Sequence, residues 1–373
     1  MISAILLLIA AAGCLYLLYA TVAVGLPKSD QAPPTESSPA VTILKPLNGA
    51  EPRLFENLAS FCAQDYRAPV QILCGVQDPQ DAALAAVERL KASFPNHDLQ
   101  LIVDSTAHGA NLKVANLINM ARHARHDCLV ITDSDIGVGP RYLAQVTAAL
   151  AGSRVGGATC LYHGVAAAGF WSKLSALAID AHFLPNVLAG LRMGLAKPCF
   201  GSTIALTRQR LAEIGGLEAF ADRHADDYAI GDALRARGLR VATPDMLVAH
   251  TCSESSFSEL WRHELRWART IRSVDLAGYA GSLVTHPLPW ALLALAAGAP
   301  ALGALAAALA IACRMMLLSA VARNFGLAAP RYWLVPVRDL LSFAIFVWSF
   351  CGRGLTWRGR NYHIRAGGAL TVD

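Results

Sequence analysis

Charged side chains are scarce in this chain. Asp, Glu, Lys and Arg together make up 16% of its 373 residues, whereas a soluble globular domain carries about 25%. The shortage excludes a disordered or fully solvated chain, and it argues against an ordinary cytosolic protein of two soluble domains. We therefore expect part of the chain to face lipid.

The cysteines and the basic residues form none of the familiar binding patterns. Nine cysteines are scattered along the sequence without a CxxC pair, and their number is odd. This argues against a disulfide framework and a zinc site, and it indicates a reducing compartment. The net charge of +5 includes no Lys/Arg run with interleaved aromatics, so we expect no nucleic-acid partner.

The apolar residues are concentrated at the two ends of the chain. Residues 2–26 contain no charged side chain, and such a run is long enough to cross about 30 Å of hydrocarbon. A cleaved signal peptide is the alternative, but it would need basic residues before the run, and only Met1 precedes it. We predict an N-terminal transmembrane anchor at 1–26, followed by a Pro- and Ser-containing linker at 27–40.

A second apolar region begins near residue 288. Residues 288–313 are free of charge, and a last apolar run at 340–351 reaches spanning length only if it includes Arg338 and Asp339. That pair would be buried against a neighbouring helix, or the segment would lie at the membrane interface. We predict two transmembrane spans within 281–352, with three as the alternative.

Basic residues on both flanks of this region predict its orientation. The tail at 353–373 holds four arginines against one acid, and Arg266, Arg269 and Arg272 precede the region. By the positive-inside rule both flanks are expected to be cytoplasmic. The number of C-terminal spans would then be even.

The middle of the chain alternates between strand and helix patterns, which predicts one α/β domain at 41–280 with a mostly parallel central sheet. Strands are predicted at 41–44, 71–76, 99–103 and 128–132, and helices at 81–94, 111–126, 225–238 and 256–274. Ligands of such sheets bind at the carboxyl ends of the strands. Several acidic side chains fall near those ends.

Two carboxylates directly follow the predicted strand at 128–132. Asp133 and Asp135 have i, i+2 spacing, and at a strand end they can converge on Mg²⁺ or Mn²⁺, which also bind substrate phosphates. Taken alone, the pair is more simply explained as an Asp/Ser turn.

Further candidate residues lie near other element ends. Asp78 follows another strand, and Lys113 begins a helix whose N–H groups could bind an anion. The alternative for that helix start is an Asn cap with a solvated lysine. Asp226 and Asp227 begin a third helix, where one acid suffices for a cap and the other could be a general base.

Three side chains share one face of the helix predicted at 256–274. His263, Arg266 and Trp267 lie at i, i+3 and i+4. An arginine beside an indole can bind a diphosphate while the ring packs under a sugar or base. An amphipathic helix at the membrane interface is the competing interpretation.

Taken together, these residues resemble the D, D, D, (Q/R)xxRW signature of GT-A glycosyltransferases. More narrowly, the chain resembles the ceramide glucosyltransferase-like family, glycosyltransferase family 21, and within it the bacterial hopanoid-biosynthesis-associated members. The resemblance spans nearly the whole chain and rests on Lys45-Pro46-Leu47, Asp78, Asp133-Ser134-Asp135, Lys197-Pro198-Cys199, Asp227, Arg266-Trp267 and the apolar ends. It implies a GT-A, nucleotide-diphospho-sugar transferase fold with N- and C-terminal transmembrane helices.

The resemblance also implies roles for individual residues. Donor binding is assigned to Asp78, Lys113, Asp133 and Asp135, of which Asp133 and Asp135 would hold the metal. Catalysis is assigned to Asp227 as the base and to His263, Arg266 and Trp267 at the diphosphate and acceptor end. Active-site lining is assigned to His163, Cys199 and Asp226. His263 departs from the signature, which usually has Gln or Arg there.

The function implied is that of an inverting membrane glycosyltransferase. It would move one sugar from a UDP-sugar to a hydroxyl of a membrane lipid, with Mg²⁺ or Mn²⁺, at the cytoplasmic face of a bacterial inner membrane. N-acetylglucosamine transfer to the hopanoid polyol bacteriohopanetetrol is the first expectation. Glucose transfer to ceramide is the alternative, and a processive polysaccharide synthase is a second alternative.

Overall fold

The structure, a computed structural model, describes residues 1–26 and 38–352 and the backbone of three short strands beyond them. It contains two compact units. The sheet unit comprises residues 38–167 and 197–253, and the helix unit comprises residues 1–26, 168–196 and 254–352. The predicted domain limits of 41 and 280 differ from this division, because 168–196 and 254–280 group with the apolar helices.

The described residues form helices and strands in alternation through most of the chain. The helices are α1 (Ile2–Gly25), α2 (Leu54–Cys62), α3 (Ala83–Ser93), α4 (Leu112–Ala121), α5 (Tyr142–Leu150), α6 (Phe170–Ala178), α7 (Leu184–Arg192), α8 (Arg208–Glu213), α9 (Asp226–Ala236), α10 (Phe257–Val274), α11 (Leu276–Gly281), α12 (Pro287–Ala296), α13 (Pro300–Phe325) and α14 (Val335–Ser349). The strands are β1 (Val41–Pro46), β2 (Val70–Val76), β3 (Asp98–Val103), β4 (Cys128–Ile131), β5 (Ile136–Gly137), β6 (Val155–Ala158), β7 (Leu161–Ala166), β8 (Ile204–Thr207), β9 (Arg240–Ala242), β10 (Leu247–Cys252), β11 (Gly354–Trp357), β12 (Arg360–Ile364) and β13 (Leu370–Val372).

The main sheet of the sheet unit has the order β3-β2-β1-β4-β8-β6-β9. Strands β3, β2, β1 and β4 run parallel, and β8 joins antiparallel to β4. Every residue of β1 and β4 is buried, as expected of parallel strands covered by helices on both faces. The predicted α/β class with a mostly parallel sheet is confirmed.

A smaller sheet of order β5-β10-β7 completes the sheet unit near the end of β4. Strands β10 and β7 are parallel, with Ala249 opposite His163, and β5 pairs antiparallel with β10. Because β5 begins only five residues after β4 ends, the intervening Asp133-Ser134-Asp135 turn is held between two sheets.

Among the residues that the structure describes, four helical segments are long and apolar enough to cross a membrane by length and composition: Ile2–Gly25, Phe170–Arg192, Pro300–Phe325 and Tyr332–Ser349. The first agrees with the predicted anchor. The second was missed by the sequence analysis, because Lys173 and Asp180 interrupt its apolar pattern. It consists of α6, a π-helical turn at Ile179–Phe183 and α7.

The charge-free run at 288–313 is divided between two helices. Helix α12 ends at Ala296, and α13 begins at Pro300 and continues to Phe325. Gly298 lies between them with φ of 94°, a conformation that ends a helix and that only glycine adopts without strain. Proline at the first position of α13 then favours a new start.

Arg338 and Asp339 are both fully buried within the helix unit, so the first of their two predicted environments is confirmed. Arg314 Nε lies 3.1 Å from Asp339 Oδ1, and Arg314 also donates to the carbonyls of Ala181 and Thr285. A buried charge that is paired and hydrogen-bonded can be carried inside an apolar helix. This explains why α13 continues past Arg314. Of the four tail arginines, three lie outside the described residues.

Candidate active site

Several of the predicted site residues meet at the carboxyl edge of the main sheet. Lys45 lies near the end of β1, and Asp133 lies two residues beyond the end of the adjacent strand β4. Asp78 lies two residues beyond the end of β2, one strand further along. This is the edge at which open parallel sheets bind their ligands.

Three hydrogen bonds to backbone carbonyl oxygens hold the Asp133-Ser134-Asp135 turn in place. Lys45 Nζ donates to the carbonyl oxygen of Asp133 at 2.5 Å, and Asn57 Nδ2 donates to that of Ser134 at 3.3 Å. The N–H of Thr251 donates to the carbonyl oxygen of Asp135 at 2.8 Å. These bonds satisfy backbone polar groups of the turn, and the side chains of Asp133 and Asp135 are partly exposed.

Lys45 is buried beneath this turn. Its ammonium group also lies 4.2 Å from the ring centre of Phe61. Burial lowers the pKa of Lys45 to about 8, against the opposing effect of Asp135 and Asp133. Its charge therefore depends on the two carboxylates of the turn.

Lys113 lies among carboxylates. Its Nζ is 2.7 Å from Asp133 Oδ1 and 3.5 Å from Asp226 Oδ2. Burial acts to lower the pKa of Lys113, but Asp133, Asp226 and Asp227 together raise it above the ordinary value. Lys113 therefore neutralises the acidic cluster, and its predicted contact with a donor phosphate stays a prediction.

The start of α4 has the Asn cap of the simpler interpretation, but its lysine is not solvated, because the Lys113 side chain is only 12% exposed. Asn111 caps the helix and accepts hydrogen bonds from the N–H groups of Lys113 and Val114. Its own amide donates to the carbonyl of Arg223 at 2.7 Å and to Asp226 Oδ1 at 3.3 Å. Because two N–H groups of the first turn are engaged by the cap, they are unavailable to an external anion.

Asp227 is joined to the metal-binding candidates through the peptide of Gly201. The N–H of Gly201 donates to Asp227 Oδ2 at 3.0 Å, and the carbonyl oxygen of Gly201 accepts from the N–H of Asp133 at 3.1 Å. Burial, followed by the charge of Asp226, raises the pKa of Asp227 to about 6, while Lys113 acts to lower it. A carboxyl group with that pKa is suited to take up a proton near neutral pH.

The residues present fit a divalent cation that is shared with a substrate. Asp133 and Asp135 offer carboxylate oxygens, and His250 Nδ1 lies 3.5 Å from Asp135 Oδ2. Within the described part of the chain, no three His, Cys, Asp or Glu side chains group closely enough to hold a metal by themselves. Mg²⁺ commonly takes one or two carboxylates and completes its shell with substrate phosphates and water.

Glu51 is an acidic neighbour that the sequence analysis missed. Burial and the charge of Asp135 raise its pKa to about 7, and the Ser134 hydroxyl stabilises its carboxylate. It follows β1 at the same edge of the sheet where Asp133 follows β4. That position after a buried strand was the signal that could have identified it.

Tyr162 lies near the acidic group, whereas its neighbour His163 does not. Successive side chains of a strand point to opposite faces. Tyr162 is buried against Phe200 and His250, at ring-centre distances of 5.9 and 5.4 Å. Burial and the charges of Asp227 and Asp135 raise its pKa well above the ordinary value. Burial lowers the pKa of His163 against the opposing effect of a hydrogen bond with the backbone of Gly164, and the structure does not bring His163 into this group.

The remaining residues predicted for this edge have simpler environments. Asp78 is exposed, and its Oδ1 accepts a hydrogen bond from the N–H of Gln80 at 2.8 Å. Cys199 is buried in the main hydrophobic core against Gly231 of α9. Burial and the nearby Asp227 raise the pKa of its thiol. Cys199 therefore packs against α9 as an apolar side chain of the core.

The residues of the predicted diphosphate end lie in the helix unit, on α10. Ser256 caps this helix by accepting from the N–H of Glu259 at 3.2 Å, which confirms the predicted helix. The rings of His263 and Trp267 meet edge to face with centres 4.5 Å apart. His263 Nδ1 is hydrogen-bonded to Oε1 of the buried Glu254, a residue that the sequence analysis did not identify.

The sheet order and the acidic edge define a GT-A glycosyltransferase fold. The structure is similar to that of a mannosyltransferase from Pyrobaculum calidifontis, solved with GDP-Man and Mn²⁺, with a TM-score of 0.55. The likeness covers 94% of this chain and 99% of the other at 22% sequence identity. This structural likeness supports the assignment of the GT-A fold.

The chain belongs to glycosyl transferase family 21, whose family model matches residues 5–370. Ceramide glucosyltransferase 1 of Caenorhabditis elegans is 26% identical over 210 residues, which is 56% of this chain and 45% of the relative. Ceramide glucosyltransferase of Gibberella zeae is 32% identical over 145 residues, which is 35% of this chain and 28% of the relative. The matched stretches thus span less than half the length of both relatives.

Proposed function

We propose that this chain is a membrane glycosyltransferase that transfers one sugar from a UDP-sugar to a hydroxyl group of a membrane lipid. The observation that carries the proposal is the environment of Asp227. Its partly buried carboxyl group, with a pKa raised to about 6, is linked through Gly201 to the Asp133-Ser134-Asp135 turn. Membership of glycosyl transferase family 21 supports the same reaction class.

The reaction would proceed with inversion in a single displacement. Asp227 takes the proton of the lipid hydroxyl, whose oxygen forms a bond to C1 of the sugar while the bond from C1 to the diphosphate oxygen breaks. UDP leaves with the electron pair. Asp133 and Asp135 would hold a divalent cation, Mg²⁺ or Mn²⁺, whose chemistry is to neutralise charge on a departing diphosphate.

The other predicted residues have supporting roles in this proposal. Asp78, at the end of β2, would bind the uridine, and Lys113 would keep the acidic cluster from repelling the diphosphate. Arg266 and Trp267 on α10 would act at the diphosphate and acceptor end, where an arginine stabilises developing negative charge.

For the acceptor, the relatives favour ceramide. Both curated relatives are named as ceramide glucosyltransferases, which supports glucose and ceramide over N-acetylglucosamine and a hopanoid polyol. Hopanoid transfer stays a prediction from sequence resemblance. A processive synthase would differ from both in making a long polymer instead of a lipid bearing one sugar.

For the location, we propose a multi-pass protein of a bacterial inner membrane with its sheet unit in the cytoplasm. Helix α1 and helix α13 are the apolar segments best suited to cross, with 24 and 26 residues. The segment Phe170–Arg192 is different, because β4 before it and β8 after it are paired in one sheet. A single crossing there would separate paired strands, so the two ends of this segment lie on the same side of the membrane.

The test is a transfer assay in membranes that contain the full chain. Labelled UDP-glucose and UDP-N-acetylglucosamine are each supplied with ceramide or with bacteriohopanetetrol, and the lipid products are identified by mass spectrometry. We expect one sugar per lipid, and Asp227→Asn as the matched control should form little product. Equal product from Asp227→Asn would contradict the assignment of the base, and a polymeric product would support the processive alternative.

A further inference from the structure

A four-residue turn from Phe200 to Thr203, the Gly201 turn, joins the proposed base to the proposed metal-binding carboxylates. The N–H of Gly201 donates to Asp227 Oδ2 at 3.0 Å, and the carbonyl oxygen of Gly201 accepts from the N–H of Asp133 at 3.1 Å. The turn closes through a hydrogen bond of 3.1 Å from the N–H of Thr203 to the carbonyl oxygen of Phe200, as in a β-turn. The position of Asp227 relative to Asp133 therefore depends on where the Gly201 turn lies.

Thr132 holds the Gly201 turn against the main sheet. It directly follows the last residue of β4 and is fully buried, and its hydroxyl group donates to the carbonyl oxygen of Ser202 at 2.8 Å. Its own N–H donates to the carbonyl oxygen of Leu44 in β1 at 3.2 Å, so its backbone is fixed by the neighbouring strand. Thr132 and the next residue, Asp133, thus bind two consecutive residues of the turn.

Other buried hydroxyl groups attach the Gly201 turn to a different part of the sheet unit. The N–H of Phe200 donates to Thr159 Oγ1 at 2.9 Å, and the hydroxyl group of Ser202 donates to the carbonyl oxygen of Cys160 at 2.8 Å. These contacts reach the residues that directly follow β6. Thr132, in contrast, attaches the turn to β4, the strand that leads to the metal-binding carboxylates.

The Asp133-Ser134-Asp135 turn has supports of its own. The side chains of Lys45 and Asn57 and a backbone N–H of β10 donate to its three carbonyl oxygens. Loss of the Thr132 hydroxyl group should therefore leave these carboxylates in place. The Gly201 turn should shift instead, and with it the hydrogen-bond partner of Asp227.

Replacing Thr132 by valine should leave the protein folded. The carbonyl oxygen of Ser202 would still accept from the hydroxyl group of Thr203 at 2.6 Å, so the substitution leaves no buried carbonyl group without a donor. Valine has the branched shape of threonine and is favoured next to a strand. Thr132→Val therefore removes one hydrogen bond and little else.

We propose that Thr132 is a positioning residue whose hydroxyl group sets the place of Asp227 relative to Asp133 through the Gly201 turn. This inference rests on the proposed glycosyltransferase function. In that reaction the metal-binding carboxylates determine where the diphosphate and C1 of the sugar lie, and Asp227 must lie within hydrogen-bond reach of the attacking hydroxyl group. A small displacement between the two sites slows the chemical step without weakening donor binding.

The first experiment measures kcat and KM for sugar transfer from UDP-glucose to ceramide in membranes that contain the full chain. Thr132→Val should lower kcat by about 10- to 100-fold, with unchanged KM for the donor and an unchanged Mn²⁺ requirement. Thr132→Ser keeps the hydroxyl group and should restore kcat to within a few-fold of wild type. Thr147→Val is the matched control, because this buried threonine of α5 donates to the carbonyl oxygen of Leu143 in its own helix.

A double variant separates positioning of the base from a general structural role. Thr132→Val should slow the wild type but should not further slow Asp227→Asn, because the residual reaction no longer uses the base. A loss by the same factor in both backgrounds overturns the proposal. A Thr132→Ser enzyme as slow as Thr132→Val also overturns it, as does a raised Mn²⁺ requirement with unchanged kcat.

Hydrogen–deuterium exchange gives a measurement that does not depend on activity. In Thr132→Val, the amides of the Gly201 turn should exchange about 2- to 10-fold faster, the factor that corresponds to one hydrogen bond. They should exchange at the wild-type rate in Thr147→Val, and unchanged exchange in Thr132→Val overturns the proposal. Faster exchange in a protein whose wild type transfers no sugar would instead count against the proposed function. If Thr132→Val does not fold, Thr132→Ala takes its place and the same outcomes decide.

Discussion

Arg338 forms a two-pronged salt bridge with Glu264, in which Nη1 and Nη2 donate to Oε1 and Oε2 at 2.6 and 2.7 Å. Arg338 belongs to the apolar helix α14, and Glu264 lies two residues before Arg266 on α10. Arg338 is fully buried and also donates to the carbonyl of Leu174. The signature helix is thus tied to an apolar helix by a planar, charge-assisted contact.

This contact predicts a large loss of stability in Arg338→Met. Removing one partner of a buried pair leaves the other charge uncompensated and costs about 3–5 kcal/mol. Arg338→Lys should also destabilise the protein, because an ammonium group cannot form the bidentate pair of hydrogen bonds with the Glu264 carboxylate. Thermal unfolding in detergent measures both. The double variant Arg338→Met, Glu264→Gln should recover part of the loss, and a fully additive loss would show that the two side chains are not coupled.

Asp227→Asn should remove the general base. We expect kcat to fall by about 10²–10⁴-fold, with little change in the midpoint of thermal unfolding, because the amide oxygen can still accept from the N–H of Gly201. Initial rates of lipid glycosylation measure the effect. Asp232→Asn, further along α9, is the control and should retain activity.

The pKa of Asp227 predicts the acid side of the pH profile. A base works when it is deprotonated, so activity should decline as the pH falls through about 6, the value to which burial raises this pKa. Lys113 acts to lower the pKa of Asp227, so Lys113→Gln should raise it and move the acid decline to higher pH. A pH profile of kcat/KM measures the shift. A decline that moved to lower pH in Lys113→Gln would contradict this electrostatic account.

Gly201→Ala should disable the site through a steric conflict. A Cβ atom at this position would lie 2.4 Å from Asp133 Oδ2 and 2.9 Å from Lys113 Nζ. The carboxylate must therefore move, and we expect transfer activity to fall by at least about 10-fold, since small misplacements at a reacting centre are costly. Gly139→Ala is the matched control, because nothing lies within 4 Å of a Cβ there. Equal activities of the two variants would argue against a precise role for Asp133.

Asp135→Asn and Asp78→Asn should separate metal binding from nucleotide binding. Asp135 lies in the turn with Asp133 and beside His250, so its loss should raise the Mn²⁺ or Mg²⁺ concentration needed for half-maximal activity. Asp78 is exposed at the end of β2, and its loss should raise the KM for the UDP-sugar without changing the metal requirement. Metal titrations at saturating donor distinguish the two variants, and identical titrations would place the metal elsewhere.

Much of the fold could be predicted because its signals are local. The buried strands β1 and β4, the helix α10 and the apolar helix α1 appear in the sequence as uninterrupted runs or periodic patterns. The candidate acids could be found for the same reason, since Asp133 and Asp227 each adjoin a recognisable element end. Helix limits were less predictable where one residue decides them, as Gly298 does between α12 and α13.

The sequence by itself determined the apolar ends, the alternating middle and the positions of Asp133, Asp135 and Asp227, because hydrophobic pattern and strand ends are properties of neighbouring residues. Only the tertiary structure decided which distant side chains meet. It placed Lys113 among carboxylates, brought Tyr162 to them instead of His163, and paired Glu254 with His263. Such contacts depend on strand order, strand face and helix packing, which no local pattern records.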